Sequence, residues 1–181
     1  MWKGHFVAVD AAKELKERYP ELNFVFLFVG GSNKIKFFER LKKRVKRNRV
    51  EDKIIFAGNV SDMPAIYSIA DVVLSTSIEP EAFGRISAEG CSMTKPVISS
   101  NHGGSKDIIE NEKTGWLVEP RNPTKLAEKI IQVINMPEKK KDQIVKSARV
   151  RVQKKFSLDQ MLNKTINLYE ELVARRENIN Y

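Results

Sequence analysis

The chain is poor in the residues that build disulfides and metal sites. Its single cysteine, Cys91, excludes an internal disulfide, and its two histidines lie far apart without cysteines or acids at ligand spacing. We therefore predict no protein-held metal and no cofactor. No apolar run approaches the roughly 20 residues that cross a bilayer, and the start, MWKGHF, lacks the apolar segment of a signal peptide. We expect a cytoplasmic protein.

The remaining composition is typical of a globular domain. A chain of 181 residues, 41% of them hydrophobic, can bury a substantial core, and we predict one domain over residues 1–181. Hydrophobic periodicity predicts helices at 7–18, 35–47, 63–70 and 84–93, and strands at 24–29, 53–57, 72–75, 96–100 and 116–118. This sheet region covers about residues 1–120. A helical tail follows at about 123–176, with helices at 126–134, 143–156 and 158–176.

The alternation of helices with strands predicts the fold class. Short strands rich in Val, Ile and Phe, apolar on both faces, are typical of a parallel sheet that helices cover on both sides. We therefore predict a doubly wound α/β fold. Because such sheets bind ligands at the carboxyl ends of their strands, one crevice should be lined by the residues that follow the strands: Gly30, Gly31, Asn59, Val60, Glu81, Gly103 and Gly104.

Residues 78–93, IEPEAFGRISAEGCSM, are the most informative segment. They place Glu81 and Glu89 eight positions apart around a loop and a helix start. If Gly84 opens that helix, its unpaired N–H groups suit a phosphate, and eight residues span at most about 12 Å. That reach suits the sugar and the ribose on either side of a diphosphate. Without further context, Glu89 is equally typical of a solvated helical glutamate and Glu81 of a surface loop.

The segment resembles the E-x-F-G-x-x-x-x-E signature of the retaining, glycogen-synthase-like glycosyltransferases (glycosyl transferases group 1). It stands here as Glu81, Phe83, Gly84 and Glu89. The flanking segments IADVVLSTS and KPVISSNHGGSKDIIENEKTGWLVEP resemble the same family, so that the resemblance covers nearly the whole chain. It implies the C-terminal, Rossmann-like half of a GT-B fold, which binds a nucleoside-diphosphate sugar. The implied enzyme is a hexosyltransferase that transfers the sugar to an acceptor hydroxyl with retention.

The start, WKGHFVAVDAAKELKERYPELNFVFLFVG, resembles the family segment in which a Lys-Gly pair opens the first helix of the donor domain. That lysine is Lys3, and its implied role is to neutralise the diphosphate. Without the resemblance, Lys3 is an ordinary mobile lysine near a chain end. The family's acceptor-binding domain is not matched. The resemblance therefore implies a missing domain or subunit as partner, and little or no activity of this chain alone.

The resemblance also assigns roles to individual positions. Glu89 would accept hydrogen bonds from the two ribose hydroxyls, and Glu81 would position the donor sugar at the catalytic centre. The backbone N–H groups of Phe83, Gly84 and Arg85 would hold the sugar and phosphate. The backbone at Val60 would contact the nucleobase. Gly103 and Gly104 fit either a turn before a helix at Ser105 or a loop that approaches phosphate.

Positive charge is concentrated in residues 34–49, where nine Lys or Arg face the single acid Glu39. We expect a solvated cationic face with Phe37 and Phe38 turned to the core, although peripheral contact with an anionic membrane surface remains open. Two other functions are weighed: a non-catalytic nucleotide-binding or interaction module and, less favoured, a basic nucleic-acid-binding domain. The stretch lacks the interleaved aromatic residues typical of the last, so we expect no nucleic acid.

The last predicted helix has an apolar side that no other part of the chain obviously covers. In the resembled family, this helix crosses back to pack on the first domain. Here the helix either folds back differently or exposes an apolar face. The residues concerned are Leu162, Ile166, Leu168, Tyr169 and Leu172.

Overall fold

The computed structural model describes residues 2–31 and 35–177. The strands are β1 Phe26–Val29, β2 Ile54–Gly58, β3 Val73–Ser75, β4 Val97–Ser100 and β5 Trp116–Val118. The helices are α1 His5–Arg18, α2 Ile35–Arg47, α3 Met63–Ile69, α4 Arg85–Ser92, α5 Ser105–Ile108, α6 Pro123–Ile134, α7 Glu138–Phe156 and α8 Leu158–Glu177. All predicted elements are present. The largest shift is at α7, which begins five residues early because its first turns, EKKKD, are polar and carry no periodic signal.

The strands form two parallel sheets. β1 pairs with β2 in one of them, and β3, β4 and β5 pair in that order in the other. Each strand is joined to the next through at least one helix, and helices lie on both sides of the strands, so that the predicted doubly wound α/β class is confirmed. We call the two sheets the lateral sheet (β1–β2) and the central sheet (β3–β4–β5).

Helix α1 packs across both sheets. Ala11 and Leu15 join a central core with Ile98 of β4 and Trp116 of β5. On an adjacent face of the helix, Val9 and Ala12 join a lateral core, which also contains Leu41, Val45, Val50 and Ile54. Because α1 contributes to both cores, its position ties the two sheets together.

The two sheets differ in how well they are covered. Every residue of β4 is buried, whereas no residue of β1 is, and Leu27 and Ile55, side by side in the register, are 39% and 51% exposed. The side chains on the opposite face, Phe26, Phe28 and Phe56, pack against the lateral core. The expectation that residues 24–29 form a strand buried on both faces is therefore wrong for one face.

The C-terminal helices differ in the same way. Helix α6 supplies Leu126, Ala127, Ile130 and Val133 to the central core, and α7 packs Ala148 and Val152 near Cys91 of α4. In α8, residues 158–176 include no buried side chain, and the apolar residues Leu162, Ile166, Leu168, Tyr169 and Leu172 are all exposed. Of the two possibilities for this helix, an exposed apolar face is therefore the one observed.

Within the basic stretch, Ile35–Arg47 is confirmed as a helix, α2, and residues 48–49 form a turn; Lys34 lies outside the described part of the chain. Phe37 contacts the Phe6 ring edge-on at 5.6 Å and Phe38 contacts Phe56 at 5.1 Å, as predicted for core-facing rings. On the cationic side, Arg44 forms two hydrogen bonds with the Asp10 carboxylate. Throughout the two described ranges, the helices are too short or too polar to cross a membrane.

Candidate functional site

The N-terminus of α4 lies where the glutamate motif predicts it. Gly84 is the N-cap residue, and its φ of 89° lies in the left-handed region that favours glycine. A Cβ at this position would come within 3.3 Å of the Ser105 hydroxyl oxygen, so the site is also crowded. The N–H groups of the first turn, which begins at Arg85, have no acceptor within the helix and carry the positive end of its dipole.

The structure brings Lys3 and Glu81 together next to this helix start. The Lys3 ammonium lies 3.0 Å from Oε2 of Glu81, and the Ser77 hydroxyl donates a hydrogen bond to Oε1 of the same carboxylate. Glu81 is only 8% exposed, whereas the Lys3 side chain is 37% exposed. A nearly buried carboxylate with two donors is held in one orientation, and its lysine partner remains accessible to a ligand.

Two glycines determine where the Glu81 loop lies. The Gly104 N–H donates to the Glu81 carbonyl at 2.8 Å. A Cβ on Gly103 would lie 2.6 Å from the Glu81 carbonyl oxygen, and one on Gly104 would lie 2.3 Å from that of Phe83. These two glycines thus approach the backbone of the motif loop. They also form the turn before α5. The Gly-Gly pair after a predicted strand was the available signal for this contact.

Further polar residues around the loop were not identified from the sequence. The His102 ring donates from Nε2 to the Ser77 carbonyl at 2.9 Å, and its Nδ1 is buried without a partner among the described residues. Deeper in the core, the Ser99 hydroxyl bonds to that of Ser105 at 2.8 Å. Single serines and histidines carry no recognisable pattern in the sequence, and the partner of His102 lies 25 positions away.

Glu89 lies on α4 and is bonded on both of its oxygens. The Tyr67 hydroxyl of α3 donates to Oε2 at 2.8 Å, and Arg85 donates to Oε1 at 3.2 Å from one turn earlier. Arg85 is 84% exposed in its side chain, so its pair with Glu89 contributes little stability. Burial raises the pKa of Tyr67 above its ordinary value, and the hydrogen bond to Glu89 acts in the same direction. Tyr67 therefore stays a proton donor to Glu89 at neutral pH.

The other predicted positions lie around these two glutamates. Val60 is in the loop that enters α3, a helix capped by Asp62 through its bond to the Ala65 N–H at 3.0 Å. Tyr67 is on the same helix, so that the Val60 loop and Glu89 are connected through α3. The Phe83 ring contacts Phe156 of α7 edge-on at 5.6 Å, and Phe83 is 42% exposed.

Neither a reactive thiol nor a set of metal ligands accompanies the site. Cys91 is buried, and burial raises the pKa of its thiol to about 12, so that it stays protonated and inert at neutral pH. Residues 2–31 and 35–177 contain no group of three or more His, Cys, Asp or Glu side chains that could hold a metal ion.

Comparison with known proteins gives consistent matches. The family described as "Glycosyl transferases group 1" matches residues 1–151. A glycosyltransferase structure from Rickettsia africae ESF-5 is 39% identical, with a TM-score of 0.87 over 96% of this chain and 45% of that one. Anabaena HepE, in a crystal structure with UDP and glucose, is 26% identical, with a TM-score of 0.82 over 92% of this chain and 45% of that one.

A curated relative shows the same partial coverage. Spore coat protein SA of Bacillus subtilis (strain 168) is 24% identical over 173 residues, which are 93% of this chain and 46% of that protein. The chain thus spans slightly less than half the length of each of these three proteins.

Proposed function

Since the chain belongs to the glycosyl transferases group 1 family, we propose that it binds a nucleoside-diphosphate sugar as the donor half of a hexosyltransferase that retains anomeric configuration. Its fold is one half of a GT-B fold. Donor binding is supported by Anabaena HepE, whose crystal structure contains UDP and glucose. The alternative of a non-catalytic nucleotide-binding module shares the same site and differs only in turnover.

The Lys3–Glu81 pair beside the α4 N-terminus is the observation that carries the proposal. A diphosphate at this position meets the Lys3 ammonium and the free N–H groups of the first turn of α4. As the sugar departs, negative charge grows on the diphosphate, and both groups stabilise that charge. The N–H groups concerned are those of Phe83, Gly84 and Arg85, in the loop and first turn that Gly103 and Gly104 position.

Glu81 then positions the sugar. When the phosphate takes over the Lys3 ammonium, the lone pairs of Oε2 become available to sugar hydroxyls, while Ser77 still donates to Oε1. Positioning of this kind contributes to catalysis by aligning the anomeric carbon with the acceptor hydroxyl. We assign Glu81 this catalytic positioning role and no nucleophilic one.

Glu89 binds the ribose. Each carboxylate oxygen has two lone pairs, so that Oε2 can keep its bond to Tyr67 while both oxygens accept ribose hydroxyls. Val60, at the other end of the α3 segment, contacts the base through its backbone, a contact that permits several bases. The identity of the nucleotide therefore has to be measured.

The partner is the acceptor-binding half, as a domain or as a subunit. We propose that the 181 residues form one donor domain and that this domain alone binds donor weakly and turns over little. A cytoplasmic location and peripheral contact of the basic α2 face with an anionic membrane surface stay predictions. Vesicle co-sedimentation with and without anionic lipid tests the membrane contact, and salt should abolish it.

The donor site is tested by thermal stabilisation with UDP-, GDP- and ADP-glucose. A ligand at ten times its Kd stabilises the folded state by about 1.4 kcal/mol, which corresponds to a rise of about 3–6 °C in Tm for a chain of this size. We expect one nucleotide to be preferred and the shift to be lost in Glu89→Ala. The matched control is Glu79→Ala, which removes an exposed carboxylate two positions before Glu81. No shift with any donor at millimolar concentration would mean that the site needs the acceptor-binding half or is no longer a donor site, and an equal shift in Glu89→Ala would contradict the role of Glu89.

The stereochemical course needs the acceptor-binding half to be present. Proton NMR of the glycosylated product then reports the anomeric configuration through its coupling constant. We expect the configuration of the donor to be kept. Inversion would contradict retention without affecting the donor-binding proposal.

A further inference from the structure

One peptide group in the loop after β3 is held from both sides. Its carbonyl, that of Ser77, accepts a hydrogen bond from Nε2 of His102 at 2.9 Å, and its N–H, that of Ile78, donates to the Trp2 carbonyl at 2.7 Å. The peptide bonds of the described residues are all trans, and in a planar trans peptide the C=O and N–H point in opposite directions. His102 and Trp2 therefore hold this group, which we call the 77–78 peptide, from opposite sides.

The 77–78 peptide is connected to both donors of the Glu81 carboxylate. The Ser77 hydroxyl donates to Oε1 of Glu81, and both residues are buried. On the other side of the peptide, Trp2 is followed directly by Lys3, whose ammonium lies 3.0 Å from Oε2 of the same carboxylate. The position of the 77–78 peptide thus determines where the Ser77 hydroxyl stands relative to Glu81.

The loop that carries His102 is itself fixed by backbone hydrogen bonds. The His102 N–H donates to the Ser100 carbonyl at 2.9 Å. The Asn101 N–H donates to the Val118 carbonyl at the end of β5, at 2.7 Å. A side chain on a loop that is held in this way can support the geometry of a neighbouring site residue. His102 is therefore a fixed point against which the Ser77 backbone is placed.

We propose that His102 is a positioning residue for the donor sugar. Through the 77–78 peptide and the Ser77 hydroxyl, it holds the Glu81 carboxylate in the orientation that accepts sugar hydroxyls. This role rests on the proposed donor site, since it is the diphosphate that draws Lys3 away from Glu81. Within the described residues, Ser77 is then the side chain that still donates to Glu81. A displaced Ser77 would leave the carboxylate without a fixed orientation.

The two ring nitrogens of His102 suggest which substitutions separate its hydrogen bond from its packing. Nε2 faces a carbonyl oxygen, which accepts and cannot donate, so the ring proton is on Nε2. Nδ1 is buried without a partner among the described residues. The contribution of the ring to Glu81 therefore passes through Nε2. A glutamine amide can present an N–H near the position of Nε2, whereas an asparagine amide is one methylene shorter and does not reach it.

The experiment compares UDP with UDP-glucose, because only the second carries a sugar that Glu81 can contact. Titration calorimetry gives both Kd values for the full chain and for its variants; the GDP or ADP pair replaces them if the donor panel prefers that base. We expect His102→Asn to raise the ratio of the UDP-glucose Kd to the UDP Kd by about three- to tenfold, the effect of one hydrogen bond. The UDP Kd itself should change little. His102→Gln should keep the ratio of the unsubstituted chain, and Ser77→Ala should raise it as His102→Asn does.

Three results would overturn the proposal alone. They are an unchanged ratio in His102→Asn, an equal rise of the ratio in His102→Gln, and equal weakening of UDP and UDP-glucose binding, since the last two would follow from lost packing of the ring. Failure of the donor site itself shows differently. The unsubstituted chain would then bind neither ligand, and the role of His102 would fall with that site.

NMR of the imidazole nitrogens provides a measurement that needs neither a ligand nor a variant at position 102. The chain has two histidines, so that the ring signals of His102 are those that remain in His5→Phe. We expect the ring proton on Nε2, with slow exchange against water because its hydrogen bond to the Ser77 carbonyl protects it. A proton on Nδ1 instead, or rapid exchange at Nε2, would overturn the proposal.

Discussion

The strands of the central sheet and of the lateral sheet are all short and largely apolar, but the two sheets have different surroundings. β4 is buried along its whole length between α1 and α6 on one side and α4 on the other, whereas β1 and β2 pack only one face against α1 and α2. The apolar residues on the other face, among them Leu27 and Ile55, remain exposed. An apolar strand is therefore not by itself a buried strand, since burial depends on what the rest of the protein places over it.

Most residues of the candidate site lie in loops that follow strands of the central sheet, the better covered of the two. Ser77 and Glu81 follow β3, and the Gly103–Gly104 turn that positions the Glu81 loop follows β4. Strands that are packed on both faces hold such loops rigidly, which a preorganised ligand site requires. Lys3 is the exception, because it lies in the turn that leads into α1.

The largest effect should come from Trp116→Ala in the central sheet. Trp116 is fully buried in the central core, and truncation of a buried Trp typically costs about 3–5 kcal/mol through lost contacts and a cavity. Urea denaturation should show a correspondingly lower midpoint. Trp116→Phe should recover much of the loss. A cost for Trp116→Ala no greater than that for Leu27→Ala would remove the distinction between the sheets.

Gly104→Ala should have the second-largest effect, because the added methyl group would push the turn after β4 away from the motif loop. Gly104 has a φ of −60°, which alanine adopts readily, so the expected cost of about 1–3 kcal/mol arises from overlap with the Phe83 carbonyl. Stabilisation by the donor sugar should disappear as well. Gly58→Ala at the end of β2 is the matched control: its φ of 70° is strained but its Cβ has open space. Donor stabilisation should survive in Gly58→Ala, and its loss there too would contradict this account.

A smaller effect should appear in the pH dependence at the lateral sheet. Burial lowers the pKa of His5 below its ordinary value of 6.5, and the nearby Lys3 charge adds to this. As pH falls through 6.5, the unfolded chain takes up a proton that the folded chain resists. His5 therefore favours folding fully above this pH and progressively less below it. Urea midpoints at pH 7.5 and 5.5 should differ less in His5→Phe, and an unchanged difference would exclude His5 as the cause.

The smallest effect is expected for Leu27→Thr in β1. The side chain is 39% exposed, and its replacement by a strand-favouring polar residue should cost about 1 kcal/mol or less. Ile98→Thr at the fully buried β4 position provides the comparison and should cost several times more. Urea midpoints measure both. A Leu27→Thr cost equal to that of Ile98→Thr would contradict the difference in coverage between the two sheets.

Sequence periodicity was sufficient for the order and type of the elements. Helix α2 has its predicted bounds because IKFFERLKKRVKR alternates apolar and basic residues at helical spacing. The motif and its resemblance also led to Lys3, Glu81 and Glu89 as candidates, although their roles stay proposals. What the sequence did not indicate was Tyr67 as the partner of Glu89. That bond joins residues on different helices, with no pattern in the residues between them.

The sequence by itself thus determined the local structure: where helices and strands form, and the glycine at the left-handed N-cap of α4. Such features depend on each residue's backbone preferences and near neighbours. Only the tertiary structure decided that Lys3 pairs with Glu81, that one face of the lateral sheet stays exposed, and that the five strands divide into two sheets. Those outcomes depend on contacts between distant segments, because burial and ion pairing are properties of the surroundings that the fold assembles.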